Sequence, residues 1–181
     1  LQTSGDAIYG ARHVALKGGL PIEVPAVTVN RICGSGIQAL ITGAQLLRLG
    51  ECATVVAGGM ENMSQAPHVI RGARLGFKLG QGALEDSLMV ALMDPFCGFY
   101  MAQTAENLAK EHGISRQEQD EFALRSQRAA AAAMEAGRLK DEIVPVKVKQ
   151  GRKEITVDAD EHVRRDSTME GLASLRAAFS K

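Results

Sequence analysis

Apolar positions along the first sixty residues switch between two periods. Residues 24–30 (VPAVTVN) form a β-branched, alternating run, and residues 53–57 (ATVVA) form a short apolar run closed by Gly58 and Gly59. Both predict strands. Between them Ile37, Leu40, Ile41, Ala44 and Leu47 recur at helical spacing, the signature of an amphipathic helix. Ala39, Leu46 and Leu49 extend the apolar surface nearly all round it, which predicts burial on several sides. Strand, glycine-rich turn, buried helix and strand make a βαβ unit, whose strands are expected to run parallel.

Beyond Met63 the alternation fades. Glycine, methionine and polar residues mix through 61–102, and this stretch is expected to be irregular and loop-rich. Two helices are then predicted. The first starts at Thr104 as N-cap and runs to His112, with Gly113 as its stop, since short hydroxyl side chains cap helix starts and glycine favours helix ends. The second opens on Ser115-Arg116-Gln117-Glu118, a capping-box pattern, continues through Phe122 and a run of alanines, and ends at Gly137. Residues 143–148 and 154–158 predict a hairpin around Gln150-Gly151, and residues 167–179 a last helix. The change of pattern divides the chain into 1–63 and 64–181, which are expected to belong to different structural layers.

Composition narrows the class. With 181 residues, 45% hydrophobic and 23% charged, the chain is too apolar for disorder and long enough for one or two compact domains with a core. Lys plus Arg and Asp plus Glu both number 21, which removes the global electrostatic argument for nucleic acid or an anionic membrane surface. No stretch approaches the roughly 20 apolar residues of a membrane span, and residues 1–10 lack the blocks of a signal peptide. Cys33, Cys52 and Cys97 are an odd number, without metal-type spacing. Neither a disulfide framework nor a zinc cluster is expected, and a reducing compartment fits. His13, His68, His112 and His162 are scattered, so no metal site is expected. The basic residues from Lys147 to Arg165 alternate with acidic ones and read as a solvated face. The chain opens and closes inside structured-looking sequence and reads as a segment of something larger.

The candidate chemistry lies in Asn30-Arg31-Ile32-Cys33-Gly34-Ser35-Gly36, between the first strand and its helix. The unpaired amides of a helix N-terminus carry roughly half a positive charge and favour an anion there, which is one way to activate a thiol. Gly34 and Gly36 put no side chain in the path of an approaching carbonyl, and nearby amides can stabilise an oxyanion. Acyl transfer through a thioester on Cys33 suits this arrangement. The plainer alternative makes Cys33 one more small core residue, the reading preferred for Cys52 and Cys97. A third reading takes Gly34-Ser35-Gly36-Ile37-Gln38-Ala39 as a dinucleotide fingerprint with Glu61 as its acid. Against it, three residues separate the strand from the first glycine, and no further βα units follow.

Four strings identify a family: Val29-Asn30-Arg31-Ile32-Cys33-Gly34-Ser35-Gly36, Ala57-Gly58-Gly59-Met60-Glu61-Asn62-Met63-Ser64, Thr104-Ala105-Glu106-Asn107-Leu108-Ala109 and Lys140-Asp141-Glu142-Ile143-Val144-Pro145. In this order and spacing they resemble the thiolases, the acetyl-CoA acetyltransferases and 3-ketoacyl-CoA thiolases. The resemblance implies a layered α/β fold, present in part, with an inserted α+β loop domain. Residues 1–63 would belong to the N-terminal α/β domain carrying the nucleophile, and residues 64–181 to the loop domain that covers the coenzyme A site. Cys33 matches the family's nucleophile. Leu92, Met101 and Arg164 match positions lining the coenzyme A pocket. Coenzyme A and acetyl-CoA are implied as substrates, with no tightly bound cofactor and no metal.

Two positions depart from the acetoacetyl-CoA thiolase pattern, Tyr100 standing for a histidine and Gly171 for a serine. The opening Ser4-Gly5-Asp6-Ala7-Ile8-Tyr9 is similar to the long-chain or mitochondrial-type enzymes. A homodimer or homotetramer is implied for a complete member, in the cytoplasm or alternatively the mitochondrial matrix. The family's activating histidine, in Gly-His-Pro, and second cysteine, in Cys-x-Gly-Gly, match nothing in these 181 residues. These residues alone are therefore expected to be inactive. The reading from another class is a non-catalytic thiolase-like module that binds acyl-CoA or a partner.

Overall fold

The computed structural model describes residues 8–179; the reading of Ser4 to Ala7 lies outside the described residues. The chain forms two compact units, Leu1–Met101 and Ala102–Lys181, each described by itself.

In the first unit, α1 (Gly10–Lys17) is followed by an irregular segment and then by α2 (Ser35–Arg48). Gly10 is buried because Met60 lies over it: a Cβ there would stand 2.7 Å from the Met60 methyl. Arg12 ties α1 to the next segment, its guanidinium donating to the carbonyls of Val24 and Ile22. On α2, Gly43 is the buried residue, and a Cβ there would stand 2.7 Å from Val55 Cγ1. That close approach explains a glycine in mid-helix, where it otherwise costs about 1 kcal/mol relative to alanine.

Two expectations fail here. Residues 24–30 and 53–57 join no ladder. Alternation and β-branching show that a segment fits a pleated surface, but a strand also needs a neighbour for its amides and carbonyls. Among the described residues no neighbour is present for either, so the βαβ unit reduces to its helix. Nor is α2 buried on several sides: Ile37, Leu40, Ile41 and Leu47 are all exposed. Its apolar periodicity records a surface that nothing among the described residues covers.

Residues 61–102 are loop-rich as expected, but carry short elements that weak periodicity hid. β1 (His68–Ile70) pairs antiparallel with β2 (Leu84–Asp86). The Asp86 carboxylate caps α3 (Ser87–Leu92), accepting from the Leu88 amide at 2.9 Å. β3 (Met93–Asp94) and β4 (Phe99–Tyr100) form a second small ladder with Met93 opposite Tyr100.

α4 (Met101–Glu111), which lies in the second unit but for its first residue, starts three residues before the Thr104 expected to cap it, because it follows β4 directly. Its end is as expected. Gly113 takes φ 64°, and the Ile114 amide reaches back to the Ala109 carbonyl at 2.8 Å, a Schellman closure. Next, α5 (Arg116–Glu135) carries the full capping box: the Ser115 hydroxyl accepts from the Glu118 amide at 3.2 Å and the Ser115 amide donates to Glu118 Oε2 at 2.7 Å. Gly137, φ 67°, ends it. The hairpin forms as expected from β5 (Val146–Gln150) and β6 (Lys153–Val157), with Gly151 left-handed in its turn.

The last helix is shorter than expected. Only α6 (Met169–Ala173) forms, capped by Thr168. Beyond it the Arg116 guanidinium takes the Leu172 carbonyl at 2.6 Å and the Leu175 carbonyl at 3.3 Å, acceptors that a continuing helix would give to its own amides. Leu124 of α5 is the one buried hydrophobic side chain among the described residues.

Candidate functional site

The sequence places Cys33 before a helix, and the structure does so: Gly34 is the N-cap of α2 and Ser35 its first residue. The Cys33 side chain is exposed. Gly34 has φ −82°, within reach of any residue, so neither it nor Gly36 supplies a left-handed bend; their contribution is the lack of a side chain, and a Cβ at Gly36 would meet nothing within 4 Å. The left-handed residue is Ile32, at φ 50°. For a β-branched residue this conformation costs about 1–3 kcal/mol and concentrates at functional sites.

Hydrogen bonds offset that strain. Asn30 Oδ1 accepts from the Ile32 amide at 2.9 Å. The Ser35 hydroxyl donates to the Ile32 carbonyl at 2.7 Å and accepts from the Arg31 amide at 2.8 Å. Arg31 also reaches Gln38 Oε1 on the first turn of α2 at 2.9 Å. No side chain caps α2, and its first amide, that of Ser35, donates to the Ile32 carbonyl at 3.1 Å. Such a terminus accepts an anion or a developing oxyanion.

Leu92 and Met101 are brought together. Leu92 ends α3 and Met101 begins α4, each one residue beyond the Met93–Tyr100 pair, so they flank the same end of that ladder. Leu92 is half-buried and Met101 exposed. Arg164 lies in the second unit. Its amide donates to Gln127 Oε1 of α5 at 2.8 Å, and its side chain is exposed. Two residues before it His162 is left-handed at φ 68°. A groove of about 560 Å³ in this unit is lined by Glu121, Leu124, Arg125, Arg128, Ala129 and Met169, and none of the residues predicted from sequence belongs to it.

The roles of Asn30, Ser35 and Gln127 appear only in the structure. An Asn two residues before a turn is a usable Asx signal; a bond between positions 127 and 164 has no sequence signal.

Solved structures define the class. The chain superposes on human mitochondrial 3-ketoacyl-CoA thiolase with a TM-score of 0.94 at 49% identity, covering 100% of this chain and 46% of that one. On the same human enzyme in complex with CoA the TM-score is 0.92 at 49% identity, over 100% of this chain and 45% of that one. The architecture is a partial thiolase fold. Residues 1–181 match the family described as thiolase, N-terminal domain, and the chain belongs to the thiolases. Among curated relatives, the acetyl-CoA acetyltransferase of Pseudomonas aeruginosa is 49% identical over 181 residues, 99% of this chain and 46% of that protein. The chain thus spans about half the length of the relatives it matches.

Proposed function

We propose that these residues supply the nucleophile and part of the coenzyme A site of a thiolase that makes or cleaves 3-ketoacyl-CoA. The observation that carries this reading is Cys33, exposed at the uncapped N-terminus of α2 behind a strained, hydrogen-bonded turn. In cleavage the Cys33 thiolate adds to the 3-keto carbon. The C2–C3 bond then breaks, its electron pair goes to C2, and a proton there gives acetyl-CoA. The shortened acyl group stays on Sγ as a thioester until the thiol of coenzyme A takes it and returns the thiolate. Synthesis is the reverse. The amides of α2 are suited to hold negative charge on oxygen during addition.

Leu92 and Met101 would line the pantetheine, and Arg164 would serve the phosphorylated nucleotide end. Residues 1–63 would belong to the N-terminal α/β domain and 64–181 to the loop domain. The complete protein would be a homodimer or homotetramer, an assembly supported by the many exposed apolar side chains. No helix among the described residues is long and apolar enough to cross a membrane, in keeping with a cytoplasmic or mitochondrial-matrix enzyme.

The test is acetoacetyl-CoA cleavage by the complete polypeptide that carries these residues. Cys33→Ala is expected to lower kcat by about a thousandfold or more, with Cys52→Ala and Cys97→Ala close to wild type. Full turnover without Cys33 contradicts the reading. Saturable acyl-CoA binding without turnover by the wild type identifies the binding module instead.

A further inference from the structure

Only two non-glycine residues among those described adopt left-handed backbone, and one, Ile32, immediately precedes Cys33. A β-branched side chain opposes that conformation, because its Cβ crowds the neighbouring carbonyl. A glycine would adopt it freely, so the chain accepts strain at this position and must hold it from outside.

Both peptide groups of Ile32 are held. Its amide donates to Asn30 Oδ1 at 2.9 Å. Its carbonyl accepts from the Ser35 hydroxyl at 2.7 Å and from the Ser35 amide at 3.1 Å. The same hydroxyl accepts from the Arg31 amide at 2.8 Å, so one oxygen grips the chain on both sides of Ile32. Ser35 is the first residue of α2, after the N-cap Gly34; its hydroxyl is turned back to the turn, and the helix has no side-chain cap.

We propose that Asn30 and Ser35 are positioning residues for Cys33: together they lock Ile32 left-handed, and that lock sets the direction in which the Cys33 side chain leaves the backbone at the start of α2. The proposal rests on the reading of Cys33 as nucleophile. Release of Ile32 to ordinary helical φ is a rotation of about 110°, which re-aims the next peptide and the Cys33 Cα–Cβ bond with it. The sulfur then leaves its line of approach to a carbonyl, while the apolar and cationic groups that hold coenzyme A are untouched. The lock therefore acts on the acylation step, with little effect on substrate binding.

The experiment uses the complete polypeptide and reads three quantities: kcat and KM for acetoacetyl-CoA, and the rate of Cys33 alkylation by iodoacetamide, followed by peptide mass spectrometry. Asn30→Ala and Ser35→Ala are each expected to slow kcat and alkylation of Cys33 by about 10- to 100-fold, with KM nearly unchanged. Ser35→Thr, which keeps the hydroxyl, restores both rates. Adding Ile32→Gly to Asn30→Ala recovers much of the loss, because glycine holds the left-handed form without help. Wild-type rates in both alanine variants overturn the proposal. So do losses that track only a lowered unfolding temperature and are relieved by neither Ser35→Thr nor Ile32→Gly, since the bonds would then serve folding alone. Full turnover by Cys33→Ala is a separate outcome: it removes the nucleophile reading, and the positioning role with it.

Discussion

At Arg116 one guanidinium joins two helices. It donates to Asp120 one turn along α5 at 2.8 Å and to the Leu172 and Leu175 carbonyls at the end of α6. Asp120 is 8% exposed, so loss of the cation would leave a carboxylate with little water to replace it. Arg116→Ala is expected to destabilise the second unit by about 2 kcal/mol, read as a shift of the urea midpoint. Arg116→Lys should recover little, because an ammonium lacks the fork that spans three acceptors; an unshifted midpoint in Arg116→Ala would contradict this account. None of this was legible beforehand, since Arg116 reads only as part of a capping box. The place of Cys33 before a helix was legible, because a helix start and small neighbours are local signals. The left-handed Ile32 beside it was not: β-branching argues for the opposite conformation, and the compensating bonds from Asn30 and Ser35 exist only once the turn has formed.

Elements followed the same division. The start of α5, the glycine stops of α4 and α5 and the β5–β6 hairpin agree with the sequence, because each is decided within a few residues by capping or turn chemistry. The paired strands at 24–30 and 53–57 and the burial of α2 failed, because each depends on a partner that periodicity does not supply. The α5 start also carries a pH dependence. The amide and hydroxyl of Ser115 donate to the Glu118 carboxylate and hold its pKa below the usual carboxylate range. The folded value is thus lower than the unfolded one. Its contribution is complete above the unfolded pKa and is lost as pH falls through the folded one. Urea unfolding at pH 7 and pH 3 should therefore show a smaller acid loss in Glu118→Gln than in wild type. Equal losses would remove Glu118 from the acid response.

For the whole molecule, surface area is the informative quantity. The chain exposes 15432 Å², whereas a compact monomer of its mass, 19.3 kDa, exposes about 8,500 Å². Composition suggested a chain able to build its own core, yet one buried leucine is what the described residues hold. Composition counts apolar residues and is blind to whether their covering surfaces lie in the same chain. The layered fold was legible only through the family strings, and likeness to enzymes roughly twice as long accounts for both results. The proposed chemistry requires that an acyl group pass through Cys33. The direct measurement is rapid quenching of the complete protein with acetoacetyl-CoA, without added coenzyme A, followed by peptide mass spectrometry of the cysteines. An acetyl group on Cys33, absent from Cys52 and Cys97 and discharged when coenzyme A is added, is the predicted result. Turnover with Cys33 never acylated would contradict it.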